Sequence, residues 1–192
     1  GKRIQSFEGH SESVNTVAMI PGGELAGSGS GIYDTFEDSA GKDNTVRIWN
    51  LENGYPIHVL ERHKREVTAL AVHPDGEILA SADAGGTVIV WNIKDGIPLR
   101  KYDWPDERGG PILYAGFDHG GRELLVGRST GRFRRLDMAT GRWLSSTYLG
   151  GRTELAPMAA MDDFGSLVCG MGQEIVVARL GFAWTVNSLY TD

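Results

Sequence analysis

With 192 residues and 41% apolar side chains, the chain can bury a core of its own, and a net charge of −6 argues against a general nucleic-acid binder, which carries a basic surplus. A single cysteine, Cys169, excludes an intrachain disulfide, and no apolar run approaches the roughly 18 residues that span a bilayer. The 27 glycines, roughly double ordinary usage, predict many tight turns and an all-β chain.

The charge is uneven. Residues 1–99 carry 8 basic and 14 acidic side chains and residues 100–154 carry 10 and 7, so a basic island that can steer a partner lies between acidic flanks. The sequence opens on Gly1 rather than Met, which fits an excised piece of something larger, and it shows no secretory signal; the expected location is the cytoplasm.

In chain order, Arg3–Glu8 reads as an outer strand, the core of a segment 2–9 belonging to a preceding or closing unit. The first full unit, 10–61, runs from Gly9-His10 through Val14–Ala18 and Pro21-Gly22-Gly23 to Asp43–Asn50. The second, 62–102, repeats it: His63, then Val67–Val72, then Pro74-Asp75-Gly76, then Thr87–Asn92. Trp49 and Trp91 stand 42 residues apart, but the histidines stand 53 apart, so eleven residues are inserted in the first unit. The composition of Gly27–Asp38 places the insertion there. Two weaker units, 103–149 and 150–192, keep the spacing: Gly76, Gly121 and Gly165 are 45 and 44 residues apart. Leu136 and about Arg179 stand at the tryptophan position, Arg108 and Arg152 at the histidine position. The dipeptides Asn53-Gly54, Asp95-Gly96 and Thr140-Gly141 predict tight turns into outer strands over Pro56–Glu61, Ile97–Tyr102 and Trp143–Leu149.

A rhythm of about 40–45 residues bounded by Gly-His and Trp-Asn resembles the WD-repeat (WD40-type) family. The resemblance implies a β-propeller: about four blades of four antiparallel strands, the last two degenerate. It also implies a buried hydrogen-bonded chain in each blade, assigned to His10, Ser39, Asp43 and Trp49 in the first and to His63, Ser81 and Trp91 in the second. Gly85 stands where the second blade needs its acid and Asp83 lies two residues early, so that network is expected to be incomplete.

A His-Asp-Ser set could also make an activated nucleophile, but these residues fall on fixed positions of the repeat, and no enzyme activity is expected. Gly27–Gly31 lacks the Ser or Thr that must follow Lys42 in a phosphate loop, and the five histidines form no metal spacing. No metal and no cofactor are expected.

The expected function is a scaffold for protein partners. The insertion mixes Tyr33 and Phe36 with Asp34, Glu37 and Asp38, a composition suited to contact. A second contact is expected from Arg108, Arg128 and Arg132, whose neighbour Arg135 occupies a normally buried position. Two further readings remain: a regulatory or sensor module of a larger multidomain enzyme or signalling protein, and a small-ligand or polyanion binder using those arginines. Four blades are fewer than the usual ring, so a larger assembly, a homodimer or a small closed ring is expected to cover the end blades.

Overall fold

The computed structural model describes residues 4–32, 42–104, 110–148, 155–161, 166–171, 174–179 and 186–188. Its elements are strands arranged as four antiparallel sheets, each ordered as a simple meander. The first holds β1 (Val14–Met19), β2 (Leu25–Ser30), β3 (Val46–Asn50) and β4 (Pro56–Leu60). The second holds β5 (Val67–Val72), β6 (Ile78–Asp83), β7 (Thr87–Asn92) and β8 (Ile97–Asp103). These two lie in one compact unit, residues 1–105. A second unit, 106–192, holds β9 (Ile112–Phe117), β10 (Glu123–Arg128), β11 (Arg132–Asp137) and β12 (Trp143–Tyr148), followed by β13 (Leu155–Met161), β14 (Ser166–Met171), β15 (Glu174–Arg179) and β16 (Val186–Ser188).

The turns follow from the glycines that punctuate them. Gly54, Gly96 and Gly141 adopt φ of 79°, 66° and 69°, a region that L side chains avoid, and each leads into an outer strand. Residues 4–10 are in no strand, although Arg3–Glu8 was expected to be an outer one, and β16 supplies the outer strand of the fourth sheet. The insertion also begins later than its composition suggests, because Gly27–Ser30 belong to β2 and pair with β1 and β3.

The alternation in that glycine run has a packing cause. The core of the first unit lies between its two sheets, where Val46, Ile48 and Leu60 meet Leu70, Leu79, Ile89 and Trp91. Gly27 and Gly29 face this seam: a Cβ on Gly29 would come within 2.5 Å of Val67 Cγ1, and one on Gly27 would touch Leu70 and Leu79. Glycine here lets β2 approach the second sheet, while the intervening Ser28 points to the opposite face.

On that opposite face Ser28 is a polar hub. Its Oγ lies 2.7 Å from Trp49 Nε1 and 2.7 Å from His10 Nε2, and His10 Nδ1 lies 2.7 Å from Asp43 Oδ2. An indole N–H only donates, so Ser28 accepts from Trp49 and donates to His10, and His10 Nδ1–H then donates to Asp43. The serine expected in this role was Ser39, which lies outside the described residues. The insertion separates the hub from its acid by fifteen positions, where the second sheet has two.

The second sheet repeats the chain: Trp91 to Ser81 at 2.8 Å, Ser81 to His63 at 2.6 Å and His63 to Asp83 at 2.9 Å. The network expected to be incomplete is therefore complete. Asp83, at the end of β6, reaches the imidazole from two residues before Gly85. Each acid spends its other oxygen alike: Asp43 Oδ1 accepts from the Thr45 N–H and Asp83 Oδ1 from the Thr87 N–H. The third sheet has Leu136 in place of tryptophan; Leu136, Phe133, Leu124 and Ile112 are all buried.

Two consequences can be measured. Gly29→Val forces its side chain into Val67 and should destabilise the chain by about 1–3 kcal/mol, read as a lower Tm, unless the sheets can separate at no cost. Burial pushes the Asp43 carboxyl up, but hydrogen bonds from Thr45, His10 and Ser11 outweigh it and hold it below its ordinary 3.8. A depressed carboxylate contributes stability above its unfolded value and loses it as pH falls through its folded value. The wild type should therefore lose Tm below about pH 4 more steeply than Asp43→Asn, as followed by circular dichroism; parallel curves would show that another group sets the acid limb.

Candidate functional site

The Ser-His-Asp sets have the connectivity of a hydrolytic triad, but their seryl oxygens are occupied. Each Oγ already accepts an indole N–H and donates to imidazole, and Ser28 and Ser81 are 6% and 0% exposed. A nucleophile must meet its substrate; these hydroxyls instead satisfy polar groups inside apolar sheets.

A cavity of the first unit lies close by. The turn entering β3 and the segment between β4 and β5 enclose a cleft of about 620 Å³, lined by Lys42, Asn44, Thr45, Glu61, Arg62 and Lys64, with His63 at its wall. Its lining holds three cationic side chains and one carboxylate. Asn44 is 8% exposed; its amide Nδ2 donates weakly to the Lys64 carbonyl at 3.4 Å, and its buried Oδ1 has no partner among the described residues. Behind it, burial pushes the Glu66 carboxyl up and the charge of Asp83 adds to this, while Glu66's own backbone N–H, Arg65 and Lys42 act against it. Sequence reasoning missed this cleft, although the charged run Glu61–Glu66 around His63 is visible in the sequence.

Lys42, which lines the cleft, is the first described residue after the insertion. The insertion's expected contact residues Tyr33, Asp34, Phe36, Glu37 and Asp38 lie outside the described residues, as does Arg108. The other arginines divide. Arg128 was expected on a partner surface, but it is 2% exposed and its Nη1 donates to the Gly110 carbonyl, so burial removes it from that role. Arg135 is half-buried and paired with Glu123 at 3.0 Å, and Arg134 lies 5.6 Å from the centre of the Trp143 ring. Arg132 remains exposed at the start of β11. Much of the basic island is thus engaged within its own sheet. Among the described residues, no three His, Cys, Asp or Glu side chains gather as a metal would need, and no helix is long and apolar enough to cross a membrane.

Comparison with known proteins agrees with this architecture. The family model "WD domain, G-beta repeat" matches residues 1–50 and 54–92. The nuclear distribution protein PAC1 of Coccidioides posadasii (strain C735) is 35% identical over 80 residues, which are 42% of this chain and 16% of that protein. PAC1 of Arthroderma otae (strain ATCC MYA-4605 / CBS 113480) is 34% identical over 80 residues, 42% of this chain and 17% of its own length. Among solved structures, "Structure of U3-55K" superposes with a TM-score of 0.77 at 17% identity, covering 94% of this chain and 53% of that one. "Crystal structure of RRP9 WD40 repeats" gives 0.77 at 18% identity, covering 94% and 52%. The chain spans about half the length of these solved chains, and its matched stretch under a fifth of the PAC1 proteins. Residues 1–92 thus carry two matches to the WD-repeat family model, and the chain's antiparallel meander sheets have the fold of the WD40 structures on which it superposes.

Proposed function

We propose that this chain is a non-enzymatic interaction module of a protein assembly, and that its contact is the cation-lined cleft of the first unit together with the insertion in its first repeat. The cleft carries the reading: three cations and one carboxylate line it, and the insertion in the same repeat is rich in aromatic and acidic residues. Such a surface suits an acidic partner segment, since complementary charge speeds encounter and selects register more than it adds affinity. The polyanion reading loses support from the burial of Arg128 and the pairing of Arg135 with Glu123.

Affinity capture tests the proposal, using the intact chain, Arg62→Glu with Lys64→Glu, and a chain with residues 33–38 replaced by a Gly-Ser linker of equal length. Both variants should keep the Tm of the wild type and lose the same proteins from the capture. Unchanged captures from both would overturn the assignment of this surface.

A further inference from the structure

The two walls of the cleft meet at Asn44. This residue stands in the turn entering β3, is 8% exposed, and reaches the opposite wall through its amide Nδ2, which donates to the Lys64 carbonyl at 3.4 Å. The bond is long, and turning the amide over would not improve it, because Oδ1 would then face a carbonyl that only accepts. Oδ1 is therefore directed inward, where it is buried without a donor among the described residues. A buried acceptor in that state costs free energy that a donor would recover.

The side chain beside it is that of Glu66. The point where a Cβ on Gly31 would stand is 2.7 Å from Asn44 Oδ1 and 2.5 Å from both Cα and Cβ of Glu66. The amide oxygen and the root of the glutamate thus meet over a residue with no side chain, so the Glu66 carboxyl reaches Oδ1 by rotation about its own bonds. The main chain here is tied on every side. The Gly31 N–H donates to the Ser13 carbonyl, Asn15 Nδ2 to the Gly31 and Val67 carbonyls, and the Ala84 N–H to the Glu66 carbonyl. The need of Oδ1 therefore falls to a side chain, and a carboxylate cannot meet it, since it has no proton to give. Glu66 is 6% exposed, and burial pushes its carboxyl up from the ordinary 4.5. Asp83, at the end of β6 and bonded to His63, adds to the rise; Arg65 on its own segment and Lys42 on the turn entering β3 oppose it, as does the Glu66 N–H. The neighbours from the first two strands and their flanks, Ser13, Asn15 and Gly31, carry no charge.

We propose that Glu66 and Asn44 form a proton-operated bridge between the walls of the cleft. With Glu66 protonated, its O–H donates to Asn44 Oδ1 while its other oxygen keeps the Glu66 N–H, and the Asn44 amide is held at both ends, by Glu66 and by the Lys64 carbonyl. With Glu66 ionised the first bond is lost, a negative charge stands beside an acceptor, and the walls are free to part at this point. An acid whose folded pKa lies above its unfolded one adds stability that is complete below the unfolded value and is lost as pH rises through the folded one. Asp43 acts in the opposite sense and below its ordinary 3.8, so the two acids work in separate windows. The bridge is a property of the chain alone; its bearing on partners rests on the function proposed above, since a cleft pinned in mild acid and released at higher pH offers an acidic segment two different sites.

NMR of the intact chain, with no partner present, tests the bridge. The side-chain carboxyl carbon of Glu66 should titrate above 4.5, and the side-chain amide of Asn44 should shift with the same midpoint. Glu66→Gln carries an amide N–H that donates at every pH. It should hold the Asn44 resonances at their low-pH positions throughout, and its Tm should exceed that of the wild type by a few degrees above the midpoint, the two converging as pH falls. An Asn44 amide that stays still while Glu66 titrates, or that moves as far in Glu66→Gln, would overturn the proposal. So would a Glu66 carboxyl carbon that titrates at or below 4.5. Should Glu66→Gln fail to fold, the paired midpoints of the wild type decide alone. Because these measurements use no partner, the affinity capture can fail while the bridge stands, and the bridge can fail while the capture succeeds.

Discussion

Two-sided burial governs this chain. A four-stranded meander with apolar residues on both faces cannot stand alone in water; each face needs cover, and at about 25 cal/mol per Å² of apolar surface the seam between sheets supplies most of what holds them together. The seam between the first two sheets meets that demand with branched aliphatics on one side, with Leu70, Leu79 and Trp91 on the other, and with glycines where the backbones approach most closely.

Burying indole and imidazole in such a seam creates a second demand, because an unpaired N–H inside an apolar sheet costs about 1–3 kcal/mol. The serine hub meets it in both sheets with the same direction of donation, from tryptophan to serine to histidine to aspartate. The carboxylate ends each chain and also ties down the turn that starts the third strand, through Thr45 or Thr87. Apolar packing and polar satisfaction are thus parts of one structure, and the third sheet puts buried Leu136 where the tryptophan stands.

The architecture was legible in the sequence because the spacing of Trp49 and Trp91 and the turn glycines are set by the length of four short strands and the four connections between them, which tolerates little change. The polar hub of the first sheet was not. Ser28 sits in a glycine run whose composition reads as a loop, and only its pairing with Val17 and Arg47 shows it to be a strand. Arg128 misled for a related reason: a cation in a basic stretch suggests surface, while its place at the end of β10 sends it inward to a backbone carbonyl. The cleft at Lys42, Arg62 and Lys64 arises from two segments nearly twenty residues apart, a juxtaposition that exists only after folding.

Asp43 and Asp83 reach equivalent imidazoles from different places, one from the turn before the third strand and the other from the last residue of the second. The imidazole fixes where the negative charge must be, not which backbone position delivers it. A repeat can therefore exchange one acid for the other by drift, passing through an ancestor that holds both, without ever exposing the ring to an uncompensated interior. Diverging copies of this unit can then lose the letters of their signature while keeping its physics, and a search for the letters alone will undercount them.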